Sequence, residues 1–173
     1  LDGTSAFVRE QSHGIGTMRS LMINSKVVAV CIGDVMTGEI YTYRPDSEKT
    51  HRIDRNGLAK QLEINRKRSL LDQYILLRDP VEDHDPITRF ILQRRPHPIF
   101  KSHEITGGSI GISMARLWKG EVGAAMLRPG FQTPWDTCPV IGISQRLGFL
   151  FYACSTLSQP ANNAPLFERQ TMS

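Results

Sequence analysis

Between Gly16 and Tyr43 the chain places three apolar, β-branched runs one after another. Gly16 to Ile23 and Lys26 to Ile32 are split by Asn24-Ser25, a hairpin signal. Glu39-Ile40-Tyr41-Thr42-Tyr43 follows the turn residues Met36-Thr37-Gly38. Parallel neighbours need a crossover of about a dozen residues or more, and these connections are too short for one. The runs therefore predict an antiparallel meander, with a further short strand around His51-Arg52-Ile53.

After the meander the pattern alternates. Tyr74-Ile75-Leu76-Leu77 reads as a buried strand ended by Asp79-Pro80. Asp85-Pro86 starts a helix with Ile87, Phe90, Ile91 and Gln93-Arg94 on successive turns. Pro96 to Pro98 breaks it, and Ile99-Phe100 begins another strand. Ile110, Ile112, Ser113, Met114, Leu117 and Trp118 mark a helix packed on several sides and ended by Lys119-Gly120. Glu121 to Leu127 is a strand, Arg128-Pro129-Gly130 a turn, and Phe149-Leu150-Phe151-Tyr152 the last strand. The fold class is α/β, a layered sandwich in which the antiparallel strands pack on helices and a second α/β layer follows. Residues 1–154 form the domain, 155–173 read as a loosely structured tail, and no internal repeat is present.

Two loops and one helix start carry candidate chemistry. In Pro134-Trp135-Asp136-Thr137-Cys138-Pro139 the Asp stands at the first turn of a segment that runs to a stop at Gly148. Free backbone N–H groups there favour negative charge. A plain capping Asp beside a core Trp that pins the helix start would read the same way. Asp2-Gly3-Thr4 has the composition of a tight turn, whether a surface turn or one whose amides face an anion; Ser5-Ala6-Phe7-Val8 continues as a short helix or turn. Gly107-Gly108-Ser109 joins a strand to a helix, where glycines admit either a ligand or close helix–sheet packing at Gly108 and Gly111.

Composition narrows the function. With 173 residues, 40% hydrophobic and 22% charged, the chain can bury a sizeable core. Its net charge of +4 suits an anionic substrate. The basic cluster Asn65-Arg66-Lys67-Arg68 reads as a solvated loop, since no aromatics interleave for base stacking, and RNA binding through Lys67-Arg68 and Arg94-Arg95 ranks lowest for the same reason. No apolar run reaches membrane length and no signal-peptide pattern opens the chain, so a cytoplasmic protein with no membrane partner is expected. Cys31, Cys138 and Cys154 read as reduced core cysteines, and the scattered histidines argue against zinc.

With these pieces in order, the chain resembles the inositol monophosphatase family of magnesium-dependent sugar-phosphate and nucleotide phosphatases. The resemblance rests on Leu1-Asp2-Gly3-Thr4-Ser5-Ala6-Phe7-Val8, the strands up to Gly38-Glu39-Ile40-Tyr41-Thr42, the segment from Gly107-Gly108-Ser109 through Trp118-Lys119-Gly120, and Trp135-Asp136-Thr137. It implies that Asp2 and Asp136 bind Mg2+, with the carbonyl of Leu1 completing a metal shell. It also implies that the Gly3 and Thr4 amides hold phosphate, that the Thr4 hydroxyl orients the attacking water, and that Gly107, Gly108 and Ser109 line the sugar side. The implied reaction is metal-assisted hydrolysis of a small sugar, cyclitol or amino-alcohol phosphate, with a homodimer as one assembly.

The family's opening motif reads Asp-Pro-(Ile/Leu)-Asp-Gly-Thr, whereas this chain opens on Leu1 without an initiator Met. An amino-terminal segment carrying further metal ligands is therefore expected to be missing, and the chain alone is expected to be inactive or nearly so. Leu127-Arg128-Pro129 replaces the acidic residue of inositol-specific members. Arg128 then faces either a second anionic group of the substrate or solvent. The alternatives are a 3′-phosphonucleotidase of the same family and a non-catalytic phosphatase-like domain that binds phosphorylated ligands.

Overall fold

The computed structural model describes residues 1–94, 96, 98–128, 133–153 and 168–169. Arg95, Pro129-Gly130, Cys154 and most of the 155–173 tail lie outside the described residues. In chain order the first half runs α1 (Thr4–Val8), β1 (Gly16–Ile23), β2 (Lys26–Asp34), β3 (Ile40–Tyr43), β4 (His51–Ile53) and β5 (Ala59–Gln61). The second half runs β6 (Tyr74–Leu77), α2 (Pro86–Gln93), β7 (Ser102–Ile105), α3 (Ile110–Trp118), β8 (Ala124–Met126), α4 (Pro134–Arg146), β9 (Tyr152–Ala153) and β10 (Glu168–Arg169).

The meander forms as the sequence predicts. Asn24 and Ser25 both take left-handed angles, φ 48° and 61°, as a primed hairpin turn requires. Strands β1 to β5 then pair antiparallel in sequence order. β5 escapes sequence reading because Ala59, Lys60 and Gln61 are all exposed and carry no apolar alternation. One face of the sheet buries Val30, Ile32, Tyr41 and Tyr43. Successive strand residues point to opposite faces, so Cys31, between two of these, is exposed rather than a core cysteine.

Helices α3 and α4 cover that apolar face. Glycines let them approach: a Cβ at Gly111 would meet Met18 Sδ at 2.6 Å, and one at Gly142 would meet Tyr43 Oη at 2.6 Å. Between them lies Trp118, fully buried, its ring centroid 5.8 Å from that of Tyr41 and its Nε1 donating to Ser144 Oγ at 2.9 Å. Burying a side chain of this size contributes on the order of 3 kcal/mol. Both helices end where their glycines were read as stops. Gly120 and Gly148 take φ 75° and 83°, and their neighbours close Schellman pairs: Glu121 N donates to Arg116 O and Phe149 N to Ser144 O.

A parallel sheet of order β7-β6-β8 forms the next layer. Its central strand is apolar on both faces, as a covered parallel strand should be. Leu76 joins the core under α3 and α4. Ile75 and Leu77 face the other way, against Val81, Leu92 of α2 and Phe100. The layers are thus antiparallel sheet, α3 with α4, parallel sheet, and α2.

Three strands are shorter than the sequence implied. β7 begins at Ser102 rather than Ile99, and β8 covers Ala124–Met126 because the preceding residues close the α3 cap. The expected strand over Phe149 to Tyr152 is reduced to β9, paired antiparallel with β10, so two residues of the tail read as loose return to the fold. The consequence for function is positional. In open α/β sheets ligands bind beyond the carboxyl ends of parallel strands, and here those ends lead into Arg78-Asp79, Thr106 to Ser109, and Leu127-Arg128.

Candidate active site

The first turn of the chain is fastened to the end of β7 through three glycines. Asp2 pairs with Gly16 at the head of β1, its N donating to Gly16 O at 2.8 Å and its O accepting from Gly16 N at 3.0 Å. Gly3, Gly14 and Gly108 all take positive φ. Their backbones nest so closely that a Cβ on Gly108 would stand 2.5 Å from Gly14 O, and one on Gly3 would collide with the same oxygen. Gly14 O accepts from Ser109 N at 2.7 Å. This contact delivers Ser109 to Asp2: its hydroxyl donates to Asp2 Oδ2 at 2.5 Å and accepts from Ile112 N at 3.2 Å as the cap of α3.

Asp136 arrives from the other end of the chain on the first turn of α4. Thr133 precedes the helix, Pro134 opens it, and the Thr133 hydroxyl donates to Asp136 Oδ2. The carboxylate lies within the first turn, where unpaired helix N–H groups favour it. Trp135 does not pin the helix start from within the core. It is 71% exposed and borders a cavity instead.

Asp2 and Asp136 line one cavity of about 800 Å³, together with Leu1, Gly3, Thr4, Gly108 and Trp135. They also line a smaller cavity of about 250 Å³, with Arg78, Asp79 and Arg128. The two carboxylates thus stand where the two hollows meet. Among the sequence-predicted residues, Leu1, Asp2, Gly3, Thr4, Gly108 and Asp136 gather on the larger cavity. Arg128 lines the smaller cavity only, exposed, with Nη1 3.7 Å from Asp83 Oδ2. Gly107 is exposed and borders neither hollow. Ser109 is 0% exposed, so the structure gives it the task of holding Asp2 and capping α3 rather than lining a sugar.

Sequence reading passed over Arg78. It follows β6 directly, with Nη2 donating to Gly108 O at 2.7 Å and Nη1 to Ser113 Oγ at 3.3 Å. Burial pulls its guanidinium below the ordinary arginine value, against the opposing fields of Asp2, Asp79 and Asp136. A signal existed: a charged residue directly after the apolar run Ile75-Leu76-Leu77 marks the carboxyl end of the central parallel strand.

The donor set resembles in kind what a hard divalent ion takes. Asp2 Oδ1 and Asp136 Oδ1 accept no hydrogen bond among the described residues, and both acids face the cavities. Carboxylate and carbonyl oxygens are what magnesium takes, so the residues fit in kind. They fall short in number, because no group of three or more His, Cys, Asp or Glu suited to a metal forms among the described residues.

The architecture is that of the inositol monophosphatases. Mycobacterium tuberculosis SuhB superposes with a TM-score of 0.69 at 17% identity, over 88% of this chain and 60% of that one. SaIMPase-II, solved with inositol monophosphate bound, gives 0.66 at 21% identity, over 88% and 54%. An IMPase/NADP phosphatase in complex with NADP and Ca2+ gives 0.65 at 18%, over 86% and 52%. The chain therefore spans little more than half the length of these structures. No protein-family model and no curated protein matches it.

Proposed function

We propose that these residues form one wall of a hydrolase site for small phosphate monoesters, working with magnesium. The reading is carried by the meeting of Asp2 and Asp136, remote in sequence, on one cavity whose rim also holds Thr4 and Gly108. The fold's relatives support it: SaIMPase-II binds inositol monophosphate, and the IMPase/NADP phosphatase is known with Mg2+ and phosphate.

In this reading Asp2, Asp136 and the Leu1 carbonyl hold the ion, which when bound supplies charge to activate water and screen phosphoryl oxygens. Ser109 fixes the Asp2 carboxylate through one oxygen and leaves the other for the ion. Thr133 does the same for Asp136. The amides of Gly3 and Thr4 open a helix whose first N–H groups have no helical acceptor, and they take the phosphate. The Thr4 hydroxyl, exposed on the cavity rim, orients the water that attacks phosphorus as the ester P–O bond breaks. Gly108, on the rim of the larger cavity, leaves room for the alcohol side.

Trp135 favours a second reading, the 3′-phosphonucleotidase. Its indole is exposed at the same rim and offers a flat face on which a base can stack. A panel of phosphomonoesters offered to the full-length protein, with and without Mg2+, tests both readings. Magnesium-dependent phosphate release that Asp2→Asn and Asp136→Asn each lower by about 100-fold is expected. Turnover indifferent to both substitutions would overturn the assignment. Trp135→Ala that lowers turnover of nucleotides alone selects the second reading.

A further inference from the structure

The smaller cavity sets a fixed positive charge beside the two acids that the proposed site assigns to a metal. Arg78, Asp2 and Asp136 line it together. The guanidinium is held from behind by neutral acceptors, Gly108 O at 2.7 Å and Ser113 Oγ at 3.3 Å, both on the segment that carries Ser109 to Asp2. It is therefore not a surface side chain free to swing away. Asp79, the next residue along the chain, lines the same hollow. Neither Asp2 nor Asp136 accepts a hydrogen bond from Arg78 among the described residues, so their interaction is through space and leaves their outer oxygens open. Arginine keeps its charge at every working pH, so an arriving cation cannot relieve the repulsion by displacing a proton.

We propose that Arg78 is a resident counter-cation for Asp2 and Asp136, a positioning residue that steadies the empty acid pair and sets how weakly the chain takes up a divalent ion. This rests on the reading of those two acids as metal ligands. Without Arg78, two carboxylates facing one hollow would repel each other whenever no ion is bound. With it, the pair is neutralised in part, and an ion must bind against a charge that stays in place. The second arginine of the hollow differs in kind: Arg128 is exposed, and its carboxylate neighbour is Asp83.

Direct binding of Mn2+ to the 173-residue chain, followed by electron paramagnetic resonance, tests this without any turnover. Arg78→Gln, which keeps donors for Gly108 O and Ser113 Oγ but loses the charge, is expected to bind Mn2+ about tenfold more tightly. Arg78→Lys keeps the charge and should bind as weakly as the parent, and Arg128→Gln should shift affinity by less than about twofold. Unchanged or weaker Mn2+ binding by Arg78→Gln, with the parent's circular dichroism and melting curve retained, overturns the proposal. If Arg78→Gln melts early, tighter binding by Arg78→Met in its folded range supports the proposal and unchanged binding refutes it. Asp136→Asn separates the two ideas: if it leaves Mn2+ binding of the Arg78→Gln chain intact, the metal assignment has failed. If it abolishes that binding while Arg78→Gln gains nothing over the parent, the counter-cation alone has failed.

Discussion

Gly108 shows how far a single backbone position decides this site. At its φ of 80° an added Cβ would stand 2.5 Å from Gly14 O, so there is no space for a methyl group. Gly108→Ala is expected to cost about 2–3 kcal/mol in urea unfolding, from strained φ and forced separation of the Asp2 turn from Ser109. Trp135→Ala makes the opposite case. The indole is 71% exposed, so its loss should move stability by no more than about 0.5 kcal/mol. A melting shift of many degrees would show that the indole is packed after all. At this scale the sequence was partly legible. Asp2 and Asp136 could be picked out because their flanking motifs carry a resemblance. The direction of the Ser109 hydroxyl could not, because it depends on Gly14 meeting Ser109 across a long stretch of chain. Cys31 was legible in principle, since its neighbours Val30 and Ile32 share the opposite face.

Among the elements, β3 and β4 are tied to the end of α3 through one partly buried acid. Glu39, on the turn into β3, accepts from Tyr41 Oη at 2.5 Å and from Arg52 of β4, with Lys119 Nζ at 3.9 Å. Burial pushes the Glu39 carboxyl up, but the hydrogen bonds from Tyr41 and Arg52 and the charge of Lys119 outweigh it and hold the group below its ordinary 4.5. A carboxylate depressed in the folded state contributes stability that is fully present above its unfolded value and is lost as pH falls through the folded one. Melting temperature should therefore fall as pH drops below 4.5, and part of that fall should vanish in Glu39→Gln. At neutral pH the same substitution is expected to cost about 1–2 kcal/mol. An acid limb identical in the two proteins would remove Glu39 from the account. This clip has no sequence signature, since its members lie on three elements. The helices were more legible than the short strands. Gly120 and Gly148 announce their ends by local chemistry. β5 exists only because an exposed strip finds a partner in β4.

For the whole molecule the layered sandwich was readable because strand and helix periods alternate in the right order, and each buried face is written into its own segment. The site is a different kind of object: it gathers the first turn of the chain, the ends of β6, β7 and β8, and the start of α4, so no window of sequence contains it. Its chemistry is also incomplete in a countable way. Magnesium keeps several waters but needs carboxylates arranged for octahedral geometry, and phosphoryl transfer assisted by two ions needs more of them. Here Asp2 and Asp136 are the two acids shared by both hollows, and Asp79 lines only the smaller one. No group of three or more His, Cys, Asp or Glu suited to a metal forms among the described residues, and Arg78 stands beside the two shared acids. The 173 residues on their own are therefore expected to release phosphate from inositol phosphates or nucleotides at close to the uncatalysed rate, even with millimolar Mg2+. Phosphate binding and hydrolysis should part company: the backbone amides at Gly3 and Thr4 do not depend on a full metal shell, so weak, salt-sensitive phosphate binding should persist. Isothermal titration with inorganic phosphate beside a sensitive phosphate-release assay measures the two separately. Efficient turnover by the isolated chain would mean that Asp2 and Asp136 suffice, and that catalysis in this fold needs fewer carboxylates than the charge on a departing alkoxide demands.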